Sequence, residues 1–182
     1  MDGSNEDLWT SADRGATLVN RTAGTSAHGL PWFSTGSSAD GTHLIAAEQG
    51  DVWTSSDSGA TFVNKTKGTP AGGRLFVACA SDSTGTNLAA LVANKDIWVS
   101  SDSGTSWSNS SVRTDASGQN WLALASNASG SRLLAATGDG DLWAYSAKPT
   151  QWVGLEGATL SLVYTGNGVF YATGATGYLQ LK

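Results

Sequence analysis

The feature that most constrains this chain is a short pattern that returns every 44 or 45 residues. An Asp, an aliphatic residue and a Trp stand together in four places, with their tryptophans at Trp9, Trp53, Trp98 and Trp143. Such a period is typical of arrays in which each repeat is one supersecondary unit that cannot bury its apolar face alone. We therefore predict that the 182 residues form a small array of stacked repeats.

Each repeat contains the pattern of four short β-strands. In one copy, an apolar segment at 32–34 and another at 43–47 flank a polar turn with Gly at 39–42. The Trp segment, a second polar turn and a short final segment follow. With 23 Gly and only 3 Pro, the composition agrees with many turns. Four strands in each repeat predict an all-β protein, a β-propeller of four-stranded blades.

The turn after the Trp segment carries the same residues at the same offsets in three copies. It reads Ser-x-Asp-x-Gly-x-Thr/Ser, and the fourth copy lacks the Asp and the Gly. An Asp in a tight hairpin accepts hydrogen bonds from nearby backbone N–H groups, and Gly adopts a positive φ at little cost. We predict structural turns rather than a metal or catalytic site. The residues are Ser11, Asp13, Gly15, Thr17, Ser55, Asp57, Gly59, Thr61, Ser100, Asp102, Gly104 and Ser106.

This turn resembles the Asp-box, or BNR repeat, and the resemblance covers nearly the whole chain. That repeat occurs in sialidases, in some glucan-cleaving hydrolases, in sortilin-like receptors and in the photosystem II assembly factor family. The resemblance implies propeller blades whose boxes lie on the outer rim, away from ligand sites. It does not imply one function, because many unrelated activities share these blades.

The repeat boundaries predict a single repeat domain. Whole blades are expected at 29–66, 73–110 and 119–155, and partial blades at 7–20 and 158–182. The partial ends are complementary, so joining them would close a ring of about four blades and remove exposed sheet edges. Two alternatives stand beside this. The ends could form separate incomplete blades in a five-unit ring, or the chain could be a ring section that self-associates with another copy through open blade edges.

The titratable residues do not predict a catalytic or metal site. Glycoside hydrolysis needs two carboxylates at a defined separation. Asp51, Asp96 and Asp141 recur before the Trp residues, yet an Asp before a strand also suits a turn. The arginines match no motif comparable to the three-arginine site that a sialidase resemblance implies. One Cys and two His cannot make a usual zinc site, and Cys79 lies in an apolar run that predicts a buried thiol. We expect no enzyme activity, metal or cofactor.

The tryptophans and the glycosylation sequons supply the remaining candidates. The repeated Trp residues are expected to pack between sheets, because aromatic rings bury a large apolar area. Trp32 and Trp121 begin first strands where Leu75 and Leu160 are the matching residues, so they are less regular and are the candidates for ligand stacking. Sequons of the form Asn-x-Ser/Thr would fall in turns and would be glycosylated in a secreted eukaryotic protein. They begin at Asn20, Asn64, Asn109 and Asn127.

Composition narrows the partners. The formal charge is -5 and the ten Lys and Arg residues are scattered, so the basic footprint of a nucleic-acid-binding protein is missing. Apolar runs are far too short for a membrane span. We expect a non-enzymatic binding or scaffold module of an extracellular or surface assembly, with a protein or glycan partner. A lectin-like carbohydrate binder and a fragment of a sialidase-like hydrolase are the alternatives, and a plastid or periplasmic location is the alternative to an extracellular one.

Overall fold

The computed structural model describes residues 6–112, 114–146, 152–154, 159–166, 169–176 and 179–181. All regular elements in these ranges are β-strands, which confirms the all-β prediction. The same ranges hold no helix that is long and apolar enough to cross a membrane. The strands are β1 (Trp9–Thr10), β2 (Val19–Asn20), β3 (Trp32–Ser37), β4 (Leu44–Gly50), β5 (Val52–Ser55), β6 (Val63–Asn64), β7 (Arg74–Ser81), β8 (Leu88–Val92), β9 (Ile97–Ser100), β10 (Ser108–Asn109), β11 (Trp121–Ser126), β12 (Arg132–Thr137), β13 (Leu142–Ser146), β14 (Trp152–Gly154), β15 (Thr159–Gly166), β16 (Val169–Thr176) and β17 (Leu179–Leu181).

Two four-stranded antiparallel blades form the centre of the first compact unit, residues 1–145. Blade A consists of β3 to β6 and blade B of β7 to β10, and each strand pairs with the next along the chain. A short pairing of Gly50 with Arg74 joins the end of β4 to the start of β7. The four-stranded blade that the sequence predicts is therefore present in two consecutive copies.

The same unit contains two smaller sheets. Strands β11, β12 and β13 form a three-stranded antiparallel sheet, blade C. Strands β1 and β2 pair with each other, with Trp9 opposite Asn20. Trp53 stands opposite Asn64 in blade A in the same way, so β1 and β2 correspond to the third and fourth strands of a blade.

The second compact unit, residues 146–182, contains two two-stranded antiparallel sheets. Strand β15 pairs with β16, and β14 pairs with β17. Strand β14 lies in the range 119–155, where the sequence predicts the fourth strand of the third blade, and its partner is the last strand of the chain. The blade boundaries and the closure of the ring stay predictions.

The hydrophobic core lies between neighbouring blades. The first strands pack side by side, β3 against β7 and β7 against β11. One buried cluster joins Ile45 and Val52 of blade A to Phe76 and Trp98 of blade B. A second cluster joins Leu91 of blade B to the first strand of blade C. Since blade A packs on blade B and blade B on blade C, these three repeats are stabilised by stacking.

Candidate functional site

All three predicted Ser-Asp-Gly turns close through the same five hydrogen bonds. In the second copy, Ser55 Oγ donates to Asp57 Oδ1 at 2.7 Å, and Thr61 Oγ1 donates to Asp57 Oδ2 at 2.6 Å. The backbone N–H of Thr61 donates to Asp57 Oδ1 at 2.9 Å. These bonds from Thr61 lower the pKa of Asp57 to about 2. Both carboxylate oxygens are thus engaged inside the turn.

The turn glycine has a second role that the motif alone does not reveal. A Cβ on Gly59 would lie 2.7 Å from Thr10 Cγ2, and one on Gly104 would lie 3.2 Å from Lys65 Cγ. A Cβ on Gly15 would meet nothing within 4 Å. In blades A and B, the turn therefore packs closely against the preceding repeat, most tightly at Gly59, where an added side chain would force a neighbour to move.

In the first three copies, the Asp two residues before the Trp anchors another repeated network, which sequence reasoning missed. Asn64 Nδ2 donates to Asp51 Oδ2 at 2.8 Å, and Thr66 Oγ1 donates to Asp51 Oδ1 at 2.8 Å. The buried backbone N–H of Val52 donates to Thr66 Oγ1 at 2.8 Å. Asp7, Asn20 and Thr22 repeat this arrangement, and Ser111 donates to Asp96 in the third copy. The partners are 13 and 15 residues apart, a separation that no turn motif predicts.

This network gives the recurring sequons a structural explanation. The amide nitrogens of Asn20 and Asn64, where a glycan would be attached, donate to carboxylates inside the repeat. Attachment there would break these bonds. Asn109 accepts bonds from two backbone N–H groups of the following turn. Asn127 differs, because it is exposed in the turn between β11 and β12 and its amide nitrogen donates only to two exposed serine hydroxyls, at 3.2 and 3.3 Å. Glycosylation stays a prediction, and Asn127 is the sequon that fits it best.

The structure places the tryptophans differently from one another. Trp53 and Trp98 are buried, as predicted for core wedges. Trp121 is only 1% exposed and packs edge to face on Trp143 at 6.1 Å, so the prediction that its ring stacks on a ligand is wrong for this conformation. Trp32 is half-buried and contacts Trp53 in the same edgewise way at 6.2 Å.

Trp9 departs from the predicted packing in the opposite direction. It is 56% exposed, although it occupies the register of the buried Trp53 and Trp98. The cause is local. Ala46 of β4 stands opposite Trp53, whereas in the described part of the chain β1 pairs only with β2.

The β-ladders also correct the alignment of the first strands. Trp32 faces Glu48, Phe76 faces Val92 and Trp121 faces Thr137, so the residue matching the two tryptophans is Phe76 and not Leu75. Phe76 is fully buried and Leu75 is 41% exposed. A shift of one residue moves a side chain to the other face of a strand, which accounts for the error.

Glu48 is a buried carboxylate where the neighbouring blades carry Val92 and Thr137. It is 5% exposed, and burial raises its pKa. The nearby Trp53 indole N–H opposes this increase in the Glu48 pKa. Its geometry is not that of a standard hydrogen bond, and Trp32 Nε1 likewise has no partner among the described residues. Sequence reasoning overlooked Glu48 because the β4–β5 turn is one residue shorter than its counterpart in blade B.

Concave surfaces lie between successive repeats, including one of about 320 Å³ between blades B and C. A groove of about 750 Å³ separates β1 and β2 from blade A, and its lining includes Trp9, Arg21 and Asp40. A crevice of about 240 Å³ separates blade A from blade B, and its lining includes His43 and Lys65. Within the described ranges, no group of three or more His, Cys, Asp and Glu side chains is arranged to hold a metal ion.

Comparison with known proteins gives matches of structure alone. No protein-family model matches the chain, and no curated protein sequence matches it. YCF48 from Cyanidioschyzon merolae aligns with a TM-score of 0.52 and 16% identity over 68% of this chain. A GH74 xyloglucanase from Xanthomonas campestris aligns with a TM-score of 0.58 and 18% identity over 79%. The Cps50 (Swd1) β-propeller domain from Myceliophteria thermophila aligns with a TM-score of 0.55 and 15% identity over 79%.

The described blades form part of a β-propeller. The chain spans 36%, 26% and 46% of the lengths of these three chains, so it covers less than half of each. At such identities the likeness shows the fold and nothing about activity. Propellers host both enzymes and non-enzymatic proteins, so function has to be argued from the residues of this chain.

Proposed function

We propose that this partial propeller is a non-enzymatic binding or scaffold module. The observation that carries the proposal is the engagement of the repeated carboxylates by hydrogen bonds within their own repeats. Asp13, Asp57 and Asp102 each hold a turn, and Asp7 and Asp51 each hold the loop after a fourth strand. Their role is to fix the blades, which leaves the crevices between blades as the surfaces available to a partner.

The pKa values of the three turn carboxylates support this reading. Hydrogen bonds from Thr17, Thr61 and Ser106 lower the pKa of Asp13, Asp57 and Asp102 to about 2. A general acid must still carry its proton near neutral pH, and glycosidases raise the pKa of that carboxyl group. Carboxylates held at about 2 are ionised at neutral pH and cannot protonate a leaving group. We propose an extracellular or surface setting, in keeping with the low charge, with a plastid as the alternative.

The proposal is tested with the full chain and two substrate classes. Release of reducing ends from xyloglucan and release of sialic acid from a sialyl reporter are measured against a heat-denatured control. We expect no turnover of either substrate above this control. Turnover that disappears in Asp51→Asn or Asp96→Asn, while the melting temperature stays unchanged, would establish a hydrolase and overturn the proposal.

Glycan binding is a second candidate, favoured by the groove between β1–β2 and blade A. Trp9 offers an exposed indole face, and Asp40 contributes a carboxylate. Arg21 Nε donates to Thr10 Oγ1 at 2.7 Å, which fixes the guanidinium at the groove wall. Aromatic faces flanked by charged hydrogen-bonding groups suit sugar rings. Affinity electrophoresis in xyloglucan should show retardation that Trp9→Ala removes and that Leu18→Ala, an exposed apolar control outside the lining, preserves.

A further inference from the structure

The crevice between blades A and B is small and lined by both blades. Blade A contributes Ser56 and Lys65, and the turn before β4 contributes His43. Blade B contributes Ser81 and Ser103. Its volume of about 240 Å³ is below the range of about 300–1,000 Å³ usual for drug-sized ligands. It suits a compact polar group with a few waters rather than an extended ligand.

The crevice presents donors that nothing in the described structure satisfies. Lys65 forms no ion pair with any described residue, although its stem is positioned against Gly104. His43 Nδ1 is buried and has no hydrogen-bond partner among those residues. Since Nδ1 is shielded from solvent, the imidazole nitrogen available to a bound group is Nε2, which no hydrogen bond engages within the described ranges.

Hydroxyl groups add to this donor set. The side chains of Ser56 and Ser103 make no hydrogen bond within the described ranges and line the crevice. Asp57 belongs to the same turn as Ser56 and brings a negative charge nearby. Its two oxygens, however, already accept from Ser55 and Thr61. No carboxylate is among the residues that line this crevice in the described structure.

The two basic side chains are not required by the blade. The backbone N–H of Lys65 donates to the third strand of blade A in the way that Ser110 does in blade B. The carbonyl of His43 accepts from Ser38 in the way that the carbonyl of Asn87 accepts from Asp82. Blade B thus performs the same structural tasks with neutral residues. Arg21 and Arg132 stand at these two positions in other copies, so a basic side chain recurs there although the backbone bonds do not require it.

We propose that this crevice binds an oxyanion group of the phosphate or sulfate class, with the Lys65 ammonium as its main electrostatic partner and the His43 imidazole and the Ser56 and Ser103 hydroxyls as hydrogen-bonding groups. Ammonium and hydroxyl donors at a partly desolvated site are suited to such oxygens. The group is either a free ion or an ester carried by a glycan. The site is independent of the proposed scaffold role, since it requires neither catalysis nor a particular partner.

The test is titration of the full chain with inorganic phosphate, inorganic sulfate, a sugar phosphate and the same sugar without phosphate, at constant ionic strength. Backbone amide shifts are followed by NMR. We expect saturable shifts at Ser56, Lys65 and Ser103 with the oxyanions and none with the plain sugar. Tighter binding of the ester than of free phosphate would identify a glycan-borne group, and equal or weaker binding would identify the free ion.

Two variants use residues that the chain itself places at the equivalent positions, so they preserve the fold. Lys65→Ser should weaken binding by about tenfold or more, the effect of losing a charge-assisted hydrogen bond. His43→Asn should weaken it less, and Lys65→Arg should retain it. Lys67→Ser, which removes an exposed ammonium nearby but outside the crevice lining, is the matched control and should leave the affinity unchanged. Shifts that do not saturate, shifts confined to other surfaces, or equal affinity in Lys65→Ser would each overturn the proposal.

Discussion

Two separate variants, Gly15→Ala and Gly59→Ala, would distinguish two reasons why the repeated turn contains glycine: its backbone conformation and its close packing against the preceding repeat. The two residues share the left-handed backbone region, with φ of 88° and 85°. An L-residue in that region costs about 1–2 kcal/mol relative to its ordinary conformations. Both variants should therefore lose about 1 kcal/mol of the free energy of unfolding for the same backbone reason.

Of these two glycines, only Gly59 also packs closely against the preceding repeat. Its added Cβ would lie 2.7 Å from Thr10 Cγ2 and 3.1 Å from Leu44 Cδ1, distances that force one of these neighbours to move. Overpacking a well-packed contact typically costs about 1–3 kcal/mol. We expect Gly59→Ala to lose about 2–4 kcal/mol in total. Gly104→Ala should fall between the two, because its nearest contact is the flexible Lys65 side chain at 3.2 Å.

The assay is urea unfolding of the full chain followed by tryptophan fluorescence, with thermal unfolding as a second measurement. For a chain of this length, a loss of 1 kcal/mol corresponds to a fall of about 2–4 °C in Tm. Equal losses in Gly15→Ala and Gly59→Ala would refute the argument from packing between repeats. Thr10→Ser removes the clashing methyl group and keeps the hydroxyl, so adding it to Gly59→Ala should recover part of the loss.

Four further predictions follow from named contacts. Thr66→Val should lower the free energy of unfolding by about 1–3 kcal/mol, because it leaves the buried Val52 N–H without a partner. Thr66→Ser, which copies Ser111, keeps the hydroxyl and should lower it much less in the same urea assay. Glu48→Val, which copies Val92, should raise stability by about 0.5–2 kcal/mol. Burial raises the pKa of Glu48, so the ionised carboxylate destabilises the folded state at high pH. The gain in stability from Glu48→Val should therefore be larger at pH 8 than at pH 4, and an equal gain at both pH values would contradict this reasoning. The Asp57 pKa is lowered to about 2, so the stability it contributes should be lost as pH falls through that value, and Asp57→Asn should flatten the acid limb of a Tm-against-pH curve. Burial raises the pKa of Cys79 to about 12, so a thiol reagent should label the native chain far more slowly than the chain in urea.

The parts of the fold that follow a fixed local period could be predicted from the sequence. The Trp spacing and the turn residues place the strands of blades A and B, because a turn of seven residues contains all the donors and acceptors it needs. The same reasoning failed for the first strands. Whether Leu75 or Phe76 faces the core depends on the ladder register, and the bulge between Phe76 and Ala78 obscures the alternation.

The structural role of the sequon residues could not be predicted from the neighbouring sequence for a related reason. In sequence, Asn64 and Thr66 form a glycosylation motif, but their hydrogen-bond partners are Asp51 and Val52, on the preceding strand. The motif recurs because the blade needs an amide and a hydroxyl there. Only the folded chain brings these groups together.

Repetition itself helps to separate structural from functional residues in such a chain. A polar residue that recurs in every copy has the same neighbours in every copy, so blade stability is sufficient to explain it, as Asp57 and Thr66 illustrate. If a residue differs in one blade and that blade still makes the same hydrogen bonds, blade stability does not require the residue. Glu48 is of this second kind. A buried carboxylate carries a free-energy cost that Val92 avoids at the same position, and a cost without a structural return is the physical reason to seek function at Glu48.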